Sequence, residues 1–110
     1  MKKNSFYQTV SDLVDYEIQK RKITRSELAL LLNLSESYIK QIHSASSTRH
    51  YNISHLYLLS RELKLPIEDF IPTKNNLKKL NQFKNFDEKS IDKLLNQYEL
   101  EVRRSDTYEQ

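Results

Sequence analysis

His43, His50 and His55 are the side chains here best suited to metal ligation, and they fall within one short stretch. Their spacings of seven and five residues match no helical ligand pair, and no cysteine is present to complete a site. Without cysteine there are also no disulfides, thiolate metal centres or thiol nucleophiles. Without glycine there is no glycine-rich phosphate loop. Acidic pairs such as Glu68-Asp69 fit the first turn of a helix better than a general acid and its base. The seven tyrosines are scattered along the chain and make no stacking platform for single-stranded nucleic acid. No enzyme, metal or cofactor is expected. What remains is binding through polar helix faces.

Those faces must be carried by helices, because no glycine and only two prolines in 110 residues leave few sharp turns. The fold class expected is all-α. Val10, Leu13, Val14 and Ile18 share one face of a first helix near residues 6–21. Thr24-Arg25-Ser26-Glu27 fits a capping box at the start of a second, with Leu28, Ala29 and Leu32 inward. Ser35 is positioned to cap a third, whose Ile39 and Ile42 lie together. A polar loop, HSASSTRHY, then leads to Asn52 as cap of a fourth helix bearing Ile53, Leu56, Leu59 (or Tyr57) and Leu63. Pro66 suits the first turn of a short fifth helix, Ile67 to Ile71.

The junction at Asn33-Leu34 has the requirements of a tight turn between two crossing helices. Ala29 is small where the backbones approach. Asn33 tolerates the left-handed dihedrals that such a turn needs, and glycine is absent. Leu34, Ile39 and Ile42 can pin the second helix of the pair to the first.

Ala29, Asn33, Ile39 and Ile42, with Leu28 and Leu32, resemble the helix-turn-helix of the XRE/Cro-like repressor family. The resemblance runs from about Val10 to Ile71, and "ISHLYLLSRELKLPIEDFI" looks like the family's fourth and fifth helices. Two departures stand out: Asn33 replaces the turn glycine, and Ile18 or Glu17 stands where helix one often carries Arg. The resemblance implies a five-helix lambda-repressor-like domain over residues 1–72 that places its third helix in the major groove of double-stranded DNA.

Carried over by position, Glu36, Ser37 and Gln41 would read base edges. Gln can pair with adenine, Glu can accept from cytosine, and Ser can serve either role. Thr24, Arg25, Ser35, Tyr38, Lys40, Ser44 and Arg49 would contact phosphates. Each has a plainer use: Glu36 favours the dipole of its helix, Ser35 caps it, Tyr38 can pack, and Lys40 and Gln41 suit any solvent-facing surface.

The net charge of +3 does not itself demand a nucleic-acid partner. Nor does its distribution, since basic and acidic residues nearly balance on both sides of residue 72.

Pro72 and residues 73–76 read as a linker. Beyond it, residues 77–110 carry a short helix bearing Leu77, Leu80 and Phe83. A longer one follows, capped by Asp87, with an apolar stripe of Ile91, Leu94, Leu95, Tyr98 and Val102. Two helices of this length cannot bury a core alone. The stripe is therefore expected to meet a second copy of the chain, the alternative being docking on residues 1–72. This layout resembles SinR-type repressors, which implies a homodimer whose C-terminal helices can also be captured by a small protein antagonist. The chain start has basic residues but no apolar signal core, and no run is long enough for a membrane helix; a cytoplasmic location is expected.

Overall fold

The computed structural model describes residues 3–109, with side chains described for residues 3–104. Six α-helices and two 3-10 turns are the regular elements of the described residues, with no strand among them. Helices α1 (Ser5–Lys20), α2 (Arg25–Leu32), α3 (Glu36–His43) and α4 (Ile53–Leu63) come first, followed by a 3-10 turn at Ile67–Phe70. Then come α5 (Lys74–Leu77), a second 3-10 turn at Asn81–Phe83, and α6 (Glu88–Glu109). Among the described residues, no helix is long and apolar enough to cross a membrane.

The main core joins Val10, Val14 and Ile18 of α1 to Leu28, Ala29 and Leu32 of α2. It is completed by Ile39 and Ile42 of α3, Tyr51, Leu56 and Leu59 of α4 and its approach, and Phe70. Of the fourth helix's expected inward residues, Ile53 is instead exposed, at 66 %. Where a fifth helix is expected, Ile67–Phe70 forms only a 3-10 turn, with Phe70 fully buried.

Local chemistry explains the breaks between helices. Glycine-free left-handed turns end α1, α2 and α4, at Lys22, Asn33 and Lys64, each with φ 56°. At Asn33 the geometry is a Schellman cap: the Leu34 N–H donates to Ala29 O at 2.9 Å and the Asn33 N–H to Leu30 O at 3.2 Å. The helix starts follow the expected caps. Thr24 and Glu27 form both bonds of a capping box, as do Asn52 and His55, while Ser35 Oγ accepts from the Tyr38 N–H.

Residues 73–76 are not an open linker. Thr73 Oγ1 accepts from the Asn76 N–H at 3.1 Å and caps α5. The buried Asn76 side chain donates to Glu68 O at 2.7 Å and Ile71 O at 2.8 Å, fastening this turn to the preceding one. A buried amide with both protons bonded holds its segment in place, because breaking it strands polar groups.

The C-terminal stripe is likewise covered from within the chain, not left for a second copy at every position. Ile91 is fully buried and Tyr98 nearly so, in a second apolar cluster with Leu77, against which Phe6, Phe83, Leu94 and Leu95 pack. Thr9 and Tyr98 are hydrogen-bonded, the rings of Phe6 and Tyr98 meet edge to face, and the Ser5 N–H donates to Glu101 Oε2. Helix α1 thus serves two clusters. Its stripe through Val10, Val14 and Ile18 faces the main core, while Phe6 and Thr9 meet α6. Leu94, Leu95 and Val102 remain half-buried, and these positions of the stripe retain surface for another molecule.

Candidate nucleic-acid interface

Helix α3 is divided sharply. Ile39 and Ile42 are fully buried, whereas Glu36, Ser37, Lys40 and Gln41 are exposed. The left-handed turn at Asn33 and the Ser35 cap set where the helix begins, and the two isoleucines fix its rotation. Thr9 apart, the buried hydroxyl of α1 that supports this packing is Ser11, whose Oγ donates to Ile42 O at 3.2 Å. Lys3 also donates to Ile42 O, so the chain's N-terminal segment is tied to the end of α3.

At the start of α2, Thr24 and Arg25 are exposed as a phosphate contact would require. Glu27 complicates this end. Its carboxylate accepts from the Thr24 N–H at 2.9 Å, and that bond, with the one from the Thr24 side chain, holds its pKa below the usual carboxylate value. The helix N-terminus is already partly neutralised by its own acid, so Arg25 must supply the attraction for an anion.

Ser35 is occupied as a cap, although its hydroxyl proton remains able to donate. Ser44 lies half-buried at the end of α3, where its Oγ meets Ser46 Oγ at 2.9 Å and accepts from the Ser46 N–H. It shapes the loop more than it faces outward. Tyr38 is half-buried and packs on the main core, with its ring partly covered by Arg49.

Arg49 is where the structure adds most. The loop folds back along α3, bringing the guanidinium to 4.5 Å from the centroid of the Tyr38 ring and Nε within 2.5 Å of Gln41 Oε1. Two residues assigned to separate contacts are therefore one unit. Sequence periodicity carries no signal for this, because a loop's path is not periodic.

The three histidines have structural employment. His43 Nε2 and Tyr51 Oη are 2.6 Å apart beneath the loop. Burial, with lesser repulsion from Arg25 and Lys3, lowers the His43 pKa to about 4, so the ring is neutral at pH 7. Burial also pushes the Tyr51 hydroxyl above its ordinary range. The His50 ring stacks on Tyr7 at 3.8 Å, and His55 Nδ1 accepts from the Asn52 N–H at 3.1 Å. No cluster of side chains able to hold a metal ion occurs among the described residues.

No protein-family model, curated protein or solved structure matches the chain. The chemistry of the α3 face follows from its own side chains. Lys40, Arg25 and Arg49 supply positive charge, Gln41 an amide, Ser37 a hydroxyl and Glu36 a carboxylate, all on exposed positions. Such a set suits a polyanion with a hydrogen-bonding edge beyond its charges. It offers neither an activated nucleophile nor a paired acid and base.

Proposed function

We propose that the chain is a sequence-specific, double-stranded-DNA-binding transcriptional regulator, a repressor acting as a homodimer through an XRE/Cro-like domain. In this reading α3 enters the major groove, Glu36, Ser37 and Gln41 face base edges, and Arg25 and Lys40 lie near phosphates. Repression follows from occupying promoter DNA and requires no catalysis. The observation that carries the reading is the two-sided α3: its isoleucines are buried, and Glu36, Ser37, Lys40 and Gln41 are exposed. The positions open to a second copy are Leu94, Leu95 and Val102, with Ile91 and Tyr98 reserved for the chain's own core.

A salt titration with random duplex tests this. Contacts to several phosphates release condensed counterions, so affinity must fall steeply and log-linearly as salt rises, with a slope of roughly −0.9 per phosphate neutralised. A flat response would remove the DNA reading.

A second reading, a protein-interaction module with DNA binding secondary, is favoured by one feature. Phe6, Pro72, Leu95, Tyr98 and Val102 line an open groove of about 480 Å³, with Glu99 and Arg103 on its edge. Leu95→Asp at that groove, followed by light scattering, reports whether self-association depends on it.

A further inference from the structure

Resting on the DNA reading above, we infer that Arg49 is a base-reading residue, directed at a guanine next to the base contacted by Gln41. Among the described residues no carboxylate pairs with the Arg49 guanidinium, yet it does not hang freely in solvent. Its Cζ lies over the Tyr38 ring, 4.5 Å from the centroid, and its Nε–H donates to Gln41 Oε1 at 2.5 Å. Its backbone N–H donates to Ser47 Oγ at 3.1 Å, which steadies the loop from which the side chain springs.

A guanidinium fork suits a phosphate or a base edge, and what favours a base edge here is its bond to Gln41, the residue placed on a base edge in the reading above. The Tyr38 ring and the Gln41 carbonyl together restrain the guanidinium. The two terminal nitrogens keep their N–H donors as a fork at the tip of the side chain. That fork matches the paired acceptors O6 and N7 of guanine in the major groove. The bond from Arg49 also fixes the Gln41 amide, placing its carbonyl on the Arg49 side and leaving the Gln41 Nε2 protons for the neighbouring base. Tyr38, Gln41 and Arg49 together therefore form one pre-organised reader for a guanine and an adjacent base. Their rotamers are set before binding, which lowers the ordering cost of recognition.

The experiment is selection of bound duplexes from a random pool by the wild-type chain and by Arg49→Ala, which removes the fork. Binding of each protein is then measured on random duplex, on the wild-type chain's selected site, and on that site with 7-deazaguanine replacing the enriched guanine. Expected for the wild type is a fixed guanine in each half-site, with affinity falling about tenfold when its N7 is removed. Arg49→Ala should show no enrichment at that position. Retention of the guanine by Arg49→Ala, or indifference of the wild type to 7-deazaguanine, overturns the inference while leaving the DNA reading intact. Loss of salt-dependent duplex binding by the wild type itself overturns both.

Discussion

The hydroxyls of Thr9 and Tyr98 lie 2.6 Å apart in a buried contact between the first and last helices. A threonine on a helix that already supplies the main core thereby fixes how the C-terminal helix sits. The bond is short and shielded from water, and its loss by Tyr98→Phe would leave the Thr9 hydroxyl buried without that partner. We expect a loss of about 1 kcal/mol in unfolding free energy. Urea unfolding of the two proteins measures it, and equal midpoints would mean that the hydroxyl contact contributes nothing.

That contact also shows what sequence reading could and could not reach. Capping residues act on their immediate neighbours, so Thr24, Ser35 and Asn52 marked their helix starts correctly. Asn33 was legible because only a few residue types accept left-handed dihedrals. Lys22 and Lys64 adopt the same dihedrals with no local signal, since tertiary packing holds them there. The partner of the α6 stripe was not legible either. Periodicity shows that Ile91 and Tyr98 must be buried, but not which surface covers them. Phe6 and Thr9 lay outside the one face identified on α1. Arg49 was reachable only as a nearby charge, its place on Tyr38 and Gln41 being a matter of loop path.

Lys64 ends α4 with φ 56° and ψ 48°, a conformation that crowds any Cβ. Glycine removes that crowding at a modest entropic cost in the unfolded chain. Lys64→Gly is therefore expected to stabilise the fold by about 0.5–1 kcal/mol, seen as a raised melting temperature. The same exchange for alanine, which keeps the Cβ, should give no comparable gain.

His43 makes stability depend on pH. Its pKa is about 4 in the folded chain against 6.5 as a model value, so the unfolded state takes up a proton first as pH falls. Its contribution is fully present above pH 6.5 and is lost progressively as pH falls toward 4. The loss amounts to about 3 kcal/mol by pH 4, from the free-energy equivalent of a pKa shift. His55, lowered chiefly by burial, acts in the same direction. Asp12, raised chiefly by burial, acts in the opposite sense at lower pH. Urea midpoints measured from pH 7.5 to 4 should fall, and His43→Gln should flatten the curve. An unchanged slope in that variant would place the acid sensitivity elsewhere.

Lys40 and Gln41 are adjacent and both exposed, yet the DNA reading gives them different tasks. Gln41→Ala removes an amide aimed at a base edge, together with the acceptor that Arg49 Nε uses. A loss of about 1–3 kcal/mol is expected on a selected site, with much less on random duplex. Lys40→Ala removes a charge, and should weaken selected and random duplexes alike while reducing the salt slope by about one. Fluorescence anisotropy with both duplexes at several salt concentrations separates the two patterns. Equal losses for Gln41→Ala on both duplexes would show that it reads no base.

Glu36 is the side chain that fits a DNA-binding face least easily. It is exposed in the first turn of α3, where a carboxylate favours the helix dipole but repels approaching phosphates. Its net effect on binding depends on whether a cytosine amino group meets it. Glu36→Gln keeps the size and the acceptor oxygen while removing the charge. On random duplex, where repulsion dominates, affinity should rise by roughly twofold to fivefold at low salt, and the gain should shrink as screening increases. On a selected site the gain should be smaller or reversed, because a charged acceptor makes the stronger bond to cytosine. Specificity, the ratio of the two affinities, should therefore fall. A variant that gains equally on both duplexes would show that Glu36 acts on DNA by charge repulsion alone and reads no base.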